Sequence, residues 1–279
     1  MPMAFLKAIA ISIFSLWVAF LSLACSSAHA DGGRFGYSGS TGPDKWGSLS
    51  SEFNLCSTGN RQSPINIVKR DAVHNPNLGT LDRDYIPRNR NASLVNTGLE
   101  IELLFDQAPG RVLVDGKKYK LVNLHWHSPS EHTINGERRF PVELHLVHRS
   151  EGGGIAVVAI LYKYGHPDSF LLQLKKHIDK LGKNARRGGE EEARVPVGIV
   201  RTRSLSRHTR KYFRYVGSLT TPPCTENVVW SILGKVREMS REQASALRAL
   251  LPEENRNNSR PTQRLNGRTV QLYDESRQG

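Results

Sequence analysis

Two stretches of this sequence alternate polar and apolar side chains with a period of two, and both carry histidine on the polar side. The first reads Leu121-Val122-Asn123-Leu124-His125-Trp126-His127, and the second reads Val142-Glu143-Leu144-His145-Leu146-Val147. Successive side chains of a β-strand point to opposite faces. Asn123, His125 and His127 therefore share one face, with Val122, Leu124 and Trp126 on the other. In the second stretch Glu143, His145 and Val147 point one way, and Val142, Leu144 and Leu146 the other. A chain holding two such strands must bury their apolar backs in a core while their polar fronts meet at a site.

Two histidines two apart on a strand can converge on one ion, and a third from a neighbouring strand completes a facial set. Three neutral imidazoles with a fourth position open to water are what a catalytic zinc site requires. Asn123 and Glu143, on the same face, are candidates to accept the remaining imidazole N–H groups and fix the tautomers. A lone His-x-His is more often a pair of surface histidines; the third histidine and the nearby carboxylate favour the metal. One detail resists a simple hairpin. A two-residue turn at Asn135-Gly136 pairs residues whose numbers sum to 271, which sets Leu144 against His127 and turns His145 to the wrong face. Either a bulge intervenes or Asn135-Gly136 is not the turn of this ladder.

Further strands are expected at residues 92–96, 100–105, 119–127, 142–149, 155–164 and 227–233, separated by turn signals such as Asp115-Gly116. Two helices are expected. One covers residues 168–181, with Phe170, Leu171, Leu174, Ile178 and Leu181 on one face and Gly182 as its stop. The other starts at Ser240, with Gln243 completing a capping box, and ends at Pro252. The pattern implies a mostly β (α+β) single domain built on a large, mainly antiparallel twisted sheet with a few peripheral helices.

Residues 1–30 read as a signal peptide, with Lys7 as its positive end, an apolar stretch from Ala8 to Ala24, and Ala28-His29-Ala30 as a small-x-small cleavage site. The stretch is long enough that an uncleaved anchor is the alternative. The domain then covers residues 31–279, with no stable membrane span expected after cleavage. Entry to the secretory pathway implies a secreted protein, in the periplasm of a bacterium, with onward routing to a plastid left open for a plant. Cleavage removes Cys25 and leaves Cys56 and Cys224, an even count in a compartment that permits disulfides. Two sequons begin at Asn91 and Asn257. The net charge of +13 is spread along the chain, with one denser run from Arg201 to Arg214. No nucleic-acid motif accompanies it, and a solvated face or attraction to an anionic surface is the expected role.

Together with further motifs these residues resemble the alpha carbonic anhydrases, the plant-type members in particular. The resemblance runs from about Tyr37 to Arg268. It is carried by Gly-Pro-Asp-Lys-Trp at 42–46, Gln-Ser-Pro-Ile-Asn-Ile at 62–67, His-Trp-His-Ser-Pro-Ser-Glu-His-Thr at 125–133, Glu-Leu-His-Leu-Val-His at 143–148 and Gly-Ser-Leu-Thr-Thr-Pro-Pro-Cys-Thr-Glu at 217–226. It implies reversible hydration of carbon dioxide to bicarbonate by a zinc-bound hydroxide, in the family that is the reference case for three-histidine zinc. It implies that His125, His127 and His145 bind the zinc, and that Thr220, Glu131 and Tyr37 are catalytic. Thr220 is expected to donate its hydroxyl proton to Glu131 and so accept from the nucleophile. A buried salt bridge from Glu131 to His132 or Arg138 is the structural alternative. Val147, Val157, Leu219, Thr221 and Trp230 match the substrate pocket, and Cys56 and Cys224 the disulfide of secreted members. At one place the sequence departs from the family. Leu99 stands where active members carry a histidine that ferries protons to solvent. Glu100 and Glu102 lie nearby, but an ordinary carboxylate is a poor relay at neutral pH. A binding or storage protein on the same fold is the alternative function.

Overall fold

The computed structural model describes residues 34–85, 91–136, 139–185 and 193–277. The segment read as a signal peptide and Arg138 fall outside them. A thirteen-stranded sheet organises the chain. Ten of its strands form one continuous path: Ala193–Ile199, Asn91–Asn96, Ile101–Phe105, Lys117–His127, Val142–Arg149, Ile155–Tyr164, Glu226–Leu233, Lys211–Ser218, Gln271–Asp274 and Val73–His74. Antiparallel pairing runs from the first of these to Ile155–Tyr164. The step to Glu226–Leu233 is parallel, as is the last step onto Val73–His74. The sheet is therefore mixed but mainly antiparallel, and the two histidine strands lie side by side near its middle.

Each face of the sheet buries its own core. One holds Leu94, Leu103, Leu124, Trp126, Leu144, Leu146 and Ile160, covered by the helix Ser169–Ala185 through Phe170, Leu174 and Leu181. The other holds Ile67, Val157, Ala159, Phe213, Tyr215, Trp230 and Ile232. The long helix starts where Asp168 Oδ1 accepts from the backbone N–H groups of Phe170 and Leu171, at 2.8 and 3.1 Å. It does not stop at Gly182 but runs on to Ala185. A glycine costs a helix only about 1 kcal/mol, less than a buried apolar face returns. The second helix has the expected Ser240 capping box but spans only Arg241–Arg248. The chain leaves it before Pro252 and buries Leu251.

The basic run is not wholly a solvated face. Its end belongs to the Lys211–Ser218 strand, where Arg214 is buried and donates to Ser231 Oγ and to Asp115 Oδ1. Arg201, Arg203, Arg207 and Arg210 are exposed, as expected.

Candidate metal centre

The central ladder pairs Asn123 with Val147, His125 with His145, and His127 with Glu143. These sums are even, so all three histidines share one face. Of the two alternatives named from the sequence, the second accounts for this: Asn135-Gly136 is not the turn of the ladder. The Asn135-Gly136 turn, with φ of 54° and 93°, belongs to another part of the chain. It follows the short strand Thr133–Ile134, which pairs in parallel with Asn66–Ile67. A bulge also falls between Leu121 and Asn123. It shifts the alternation, so Leu121 enters the core in place of Val122, which is half-buried.

Each imidazole is anchored through the nitrogen that points away from the others. His125 Nδ1 donates to Asn123 Oδ1 at 3.2 Å, His127 Nδ1 to the Asn258 carbonyl at 2.6 Å, and His145 Nε2 to Glu143 Oε1 at 2.8 Å. All three partners are oxygen acceptors, so the anchored nitrogens carry the protons and the facing nitrogens present lone pairs. Those lone pairs converge. His125 Nε2 and His145 Nδ1 are 3.2 Å apart, and His127 Nε2 is buried with no hydrogen-bond partner. Three lone pairs aimed at one point repel unless a cation lies among them, and nitrogen donors of this kind suit zinc.

Burial pulls the pKa values of His125 and His145 down to about 4, so both are neutral at physiological pH, as metal ligation would require. Burial alone would do the same to His127. There Glu131, Glu100 and the Asn258 carbonyl outweigh it and hold the pKa above its ordinary value. Glu143 would also be raised by burial, but the rings of His132 and His145 hold it well below the usual carboxylate range. Its Oε1 accepts from His132 Nδ1 as well, at 2.6 Å, and its Oε2 from the N–H groups of Glu131 and His132. His132 Nε2 in turn accepts from the Tyr215 hydroxyl, which Ser63 Oγ meets at 2.8 Å.

His132 is thus spent on Glu143 and does not pair with Glu131. Glu131 is fully buried, and its Oε1 accepts from the Arg260 N–H at 2.9 Å. Its Oε2 has no hydrogen-bond partner and lies 3.6 Å from His127 Nε2 and 4.0 Å from His145 Nδ1. The expected hydrogen bond from Thr220 is not formed here; Oε2 faces the imidazoles instead. Thr220 is buried and Thr221 half-buried in the loop that leads to Cys224, where the disulfide to Cys56 is made across a sequence separation of 168. Val147, Val157 and Trp230 line up across three adjacent strands, and Leu219 packs on the same cluster. The Trp230 ring is 4.9 Å from that of His145, so this apolar row borders the histidines. The Tyr37 hydroxyl is buried without a partner, and burial, Glu131 and Glu100 push its pKa well up. Leu99 is half-buried in the turn before the Ile101–Phe105 strand.

Two residues the sequence did not single out hold this arrangement. Asn258 Nδ2 donates to the carbonyls of Leu99 and Trp126, its Oδ1 accepts from Ser128 N–H, and its own carbonyl orients His127. The guanidinium of Arg260 reaches Cys56 O, Gln62 Oε1 and Ser63 O, tying the disulfide region to the strap that fixes Glu131.

The family model for eukaryotic-type carbonic anhydrases matches residues 41–274. The chain belongs to the alpha carbonic anhydrase family. Alpha carbonic anhydrase 7 of Arabidopsis thaliana is 41% identical over 268 residues, covering 94% of each chain. Dioscorin DB3L of Dioscorea polystachya is 38% identical over 251 residues, covering 89% of each. Among solved structures, dioscorin complexed with ascorbate superposes with a TM-score of 0.81 at 34% identity, covering 87% of this chain and 98% of that one. The alpha carbonic anhydrase of Thermovibrio ammonificans in complex with sulfanilamide has a TM-score of 0.73 at 37% identity, covering 86% and 99%. An alpha carbonic anhydrase fold thus sets the three-histidine cluster beside an apolar wall.

Proposed function

We propose that the protein is a zinc-dependent carbonic anhydrase that hydrates carbon dioxide reversibly to bicarbonate and a proton. The observation that carries this reading is the convergence of three imidazole lone pairs, each fixed by a hydrogen bond on its far nitrogen. His125, His127 and His145 would hold the metal, with Asn123, Glu143 and the Asn258 carbonyl setting the tautomers. Zinc held there supplies a Lewis acid that brings the pKa of coordinated water towards neutrality. The chain supplies orientation and exclusion. Glu131 is fixed at one oxygen by Arg260, and its other oxygen, unpaired here, would accept from Thr220. A threonine hydroxyl that donates to a carboxylate can only accept from the attacking group, which aligns it with the substrate. Val147, Val157, Leu219 and Trp230 would give uncharged carbon dioxide an apolar wall, and Thr221 and Tyr37, the latter in the field of Glu131 and Glu100, would complete the site.

A second reading is a binding or storage protein on the same fold. Leu99 in place of a proton-carrying histidine favours it, as do dioscorins among the relatives. Stopped-flow carbon dioxide hydration by the zinc-loaded protein separates the two. Turnover well above the uncatalysed rate supports the enzyme, and full zinc occupancy without turnover supports the alternative. We place the protein in the secretory pathway. The disulfide suits that route, the sequon residues Asn91 and Asn257 are exposed, and no helix among the described residues is long and apolar enough to cross a membrane.

A further inference from the structure

Glu100 stands immediately before the Ile101–Phe105 strand, whose register sets Ile101 against Trp126 and Glu102 against His125. Alternation puts Glu100 and Glu102 on the histidine face. Glu100 Oε2 lies 3.8 Å from His125 Nε2, the nitrogen left facing the convergence point, and the Glu100 side chain is 17% exposed. That oxygen is buried and has no hydrogen-bond partner. Among the described residues Glu100 forms no ion pair with a lysine or arginine. None of the three imidazoles needs it for alignment, since each is anchored elsewhere. A buried carboxylate oxygen aimed at a cation site, yet not used to build it, calls for a different role.

We propose that Glu100 is a specificity-determining residue of the metal centre, a fixed negative group that discriminates against anionic ligands and leaves the approach of neutral ones unhindered. The inference rests on the zinc reading above. A carboxylate a few ångströms from an arriving anion repels it, more strongly where little water screens the pair. Carbon dioxide carries no charge and is unaffected, whereas bicarbonate is expelled. The residue therefore limits retention of the bicarbonate product and protects the centre from small inhibitory anions. It also adds to the attraction for the cation itself.

The test is equilibrium binding rather than turnover. Wild type, Glu100→Gln and Glu100→Ala are loaded with cobalt(II), and their visible spectra are titrated with azide and, separately, with neutral imidazole. Azide should bind at least tenfold more tightly to both variants than to wild type, while imidazole affinity stays within about twofold. Equal azide affinity in all three proteins at full cobalt loading overturns this inference alone. So does a parallel shift of azide and imidazole, which marks a steric effect. Failure of all three to take up cobalt overturns the zinc reading and this inference with it.

Discussion

His125 and His145 face each other across the two central strands, paired in register, with Nε2 of one 3.2 Å from Nδ1 of the other. The pairing fixes which nitrogens meet, because Asn123 and Glu143 hold the opposite sides of the two rings. Everything chemical about the site follows from that geometry.

The pH dependence of zinc binding follows from how differently the three rings are held. A protonated imidazole cannot ligate, so affinity is complete above the ligand pKa values and falls as pH drops through them. His127, held above its ordinary value, protonates first on acidification. His125 and His145 stay neutral down to about 4. Chelator competition across pH should show a slope of about one proton per zinc from near neutrality down to about pH 4, steepening below it. A three-proton slope already present near neutrality contradicts this.

Asn258 carries several contacts at once, so Asn258→Ala should be costly. It strands the Leu99 and Trp126 carbonyls and the Ser128 N–H. At about 1 kcal/mol or more for each buried group left unpaired, a loss of roughly 2–4 kcal/mol in urea unfolding is expected. The segment that orients His127 should loosen as well, with zinc affinity falling about tenfold or more. Unchanged stability and affinity would show that the segment is held by other means.

Much of this was legible in the sequence. Val142–Arg149 and Ile155–Tyr164 begin and end where alternation put them, and the three histidines share a face for the same reason. Lys211–Ser218 was not legible. Its basic residues read as surface, and only the sheet reveals Asp115 and Ser231 waiting for Arg214. Val122 was misassigned because a bulge breaks the period it was read from. Asn258 and Arg260 lie in an irregular stretch and act on residues some 130 positions away, where periodicity carries no signal.

The Cys56–Cys224 bridge should leave no free thiol in the denatured, unreduced mature protein. Its loop of 168 residues corresponds to about 5 kcal/mol in chain-entropy terms, an upper figure. Cys224→Ser should lower thermal stability accordingly. It should also lower hydration, because the bridge anchors the loop bearing Thr220. Two titratable thiols per mature chain in the unreduced protein would refute the bridge.

Leu99 predicts a split between kcat and kcat/KM. Attack on carbon dioxide needs only the centre and its wall, whereas regeneration needs a proton carrier with a pKa near 7, which leucine is not. Small buffers such as imidazole should raise kcat while leaving kcat/KM nearly constant, and Leu99→His should reproduce much of the gain. A kcat insensitive to both buffer and substitution shows that another route already carries the proton.

The most direct test restores zinc stepwise to chelator-stripped protein and follows hydration by stopped flow. The account predicts activity rising linearly and levelling at about one zinc per chain, with His145→Ala binding little zinc and showing no rise. Full activity in the stripped protein, or one zinc bound with hydration no faster than in buffer, would contradict it.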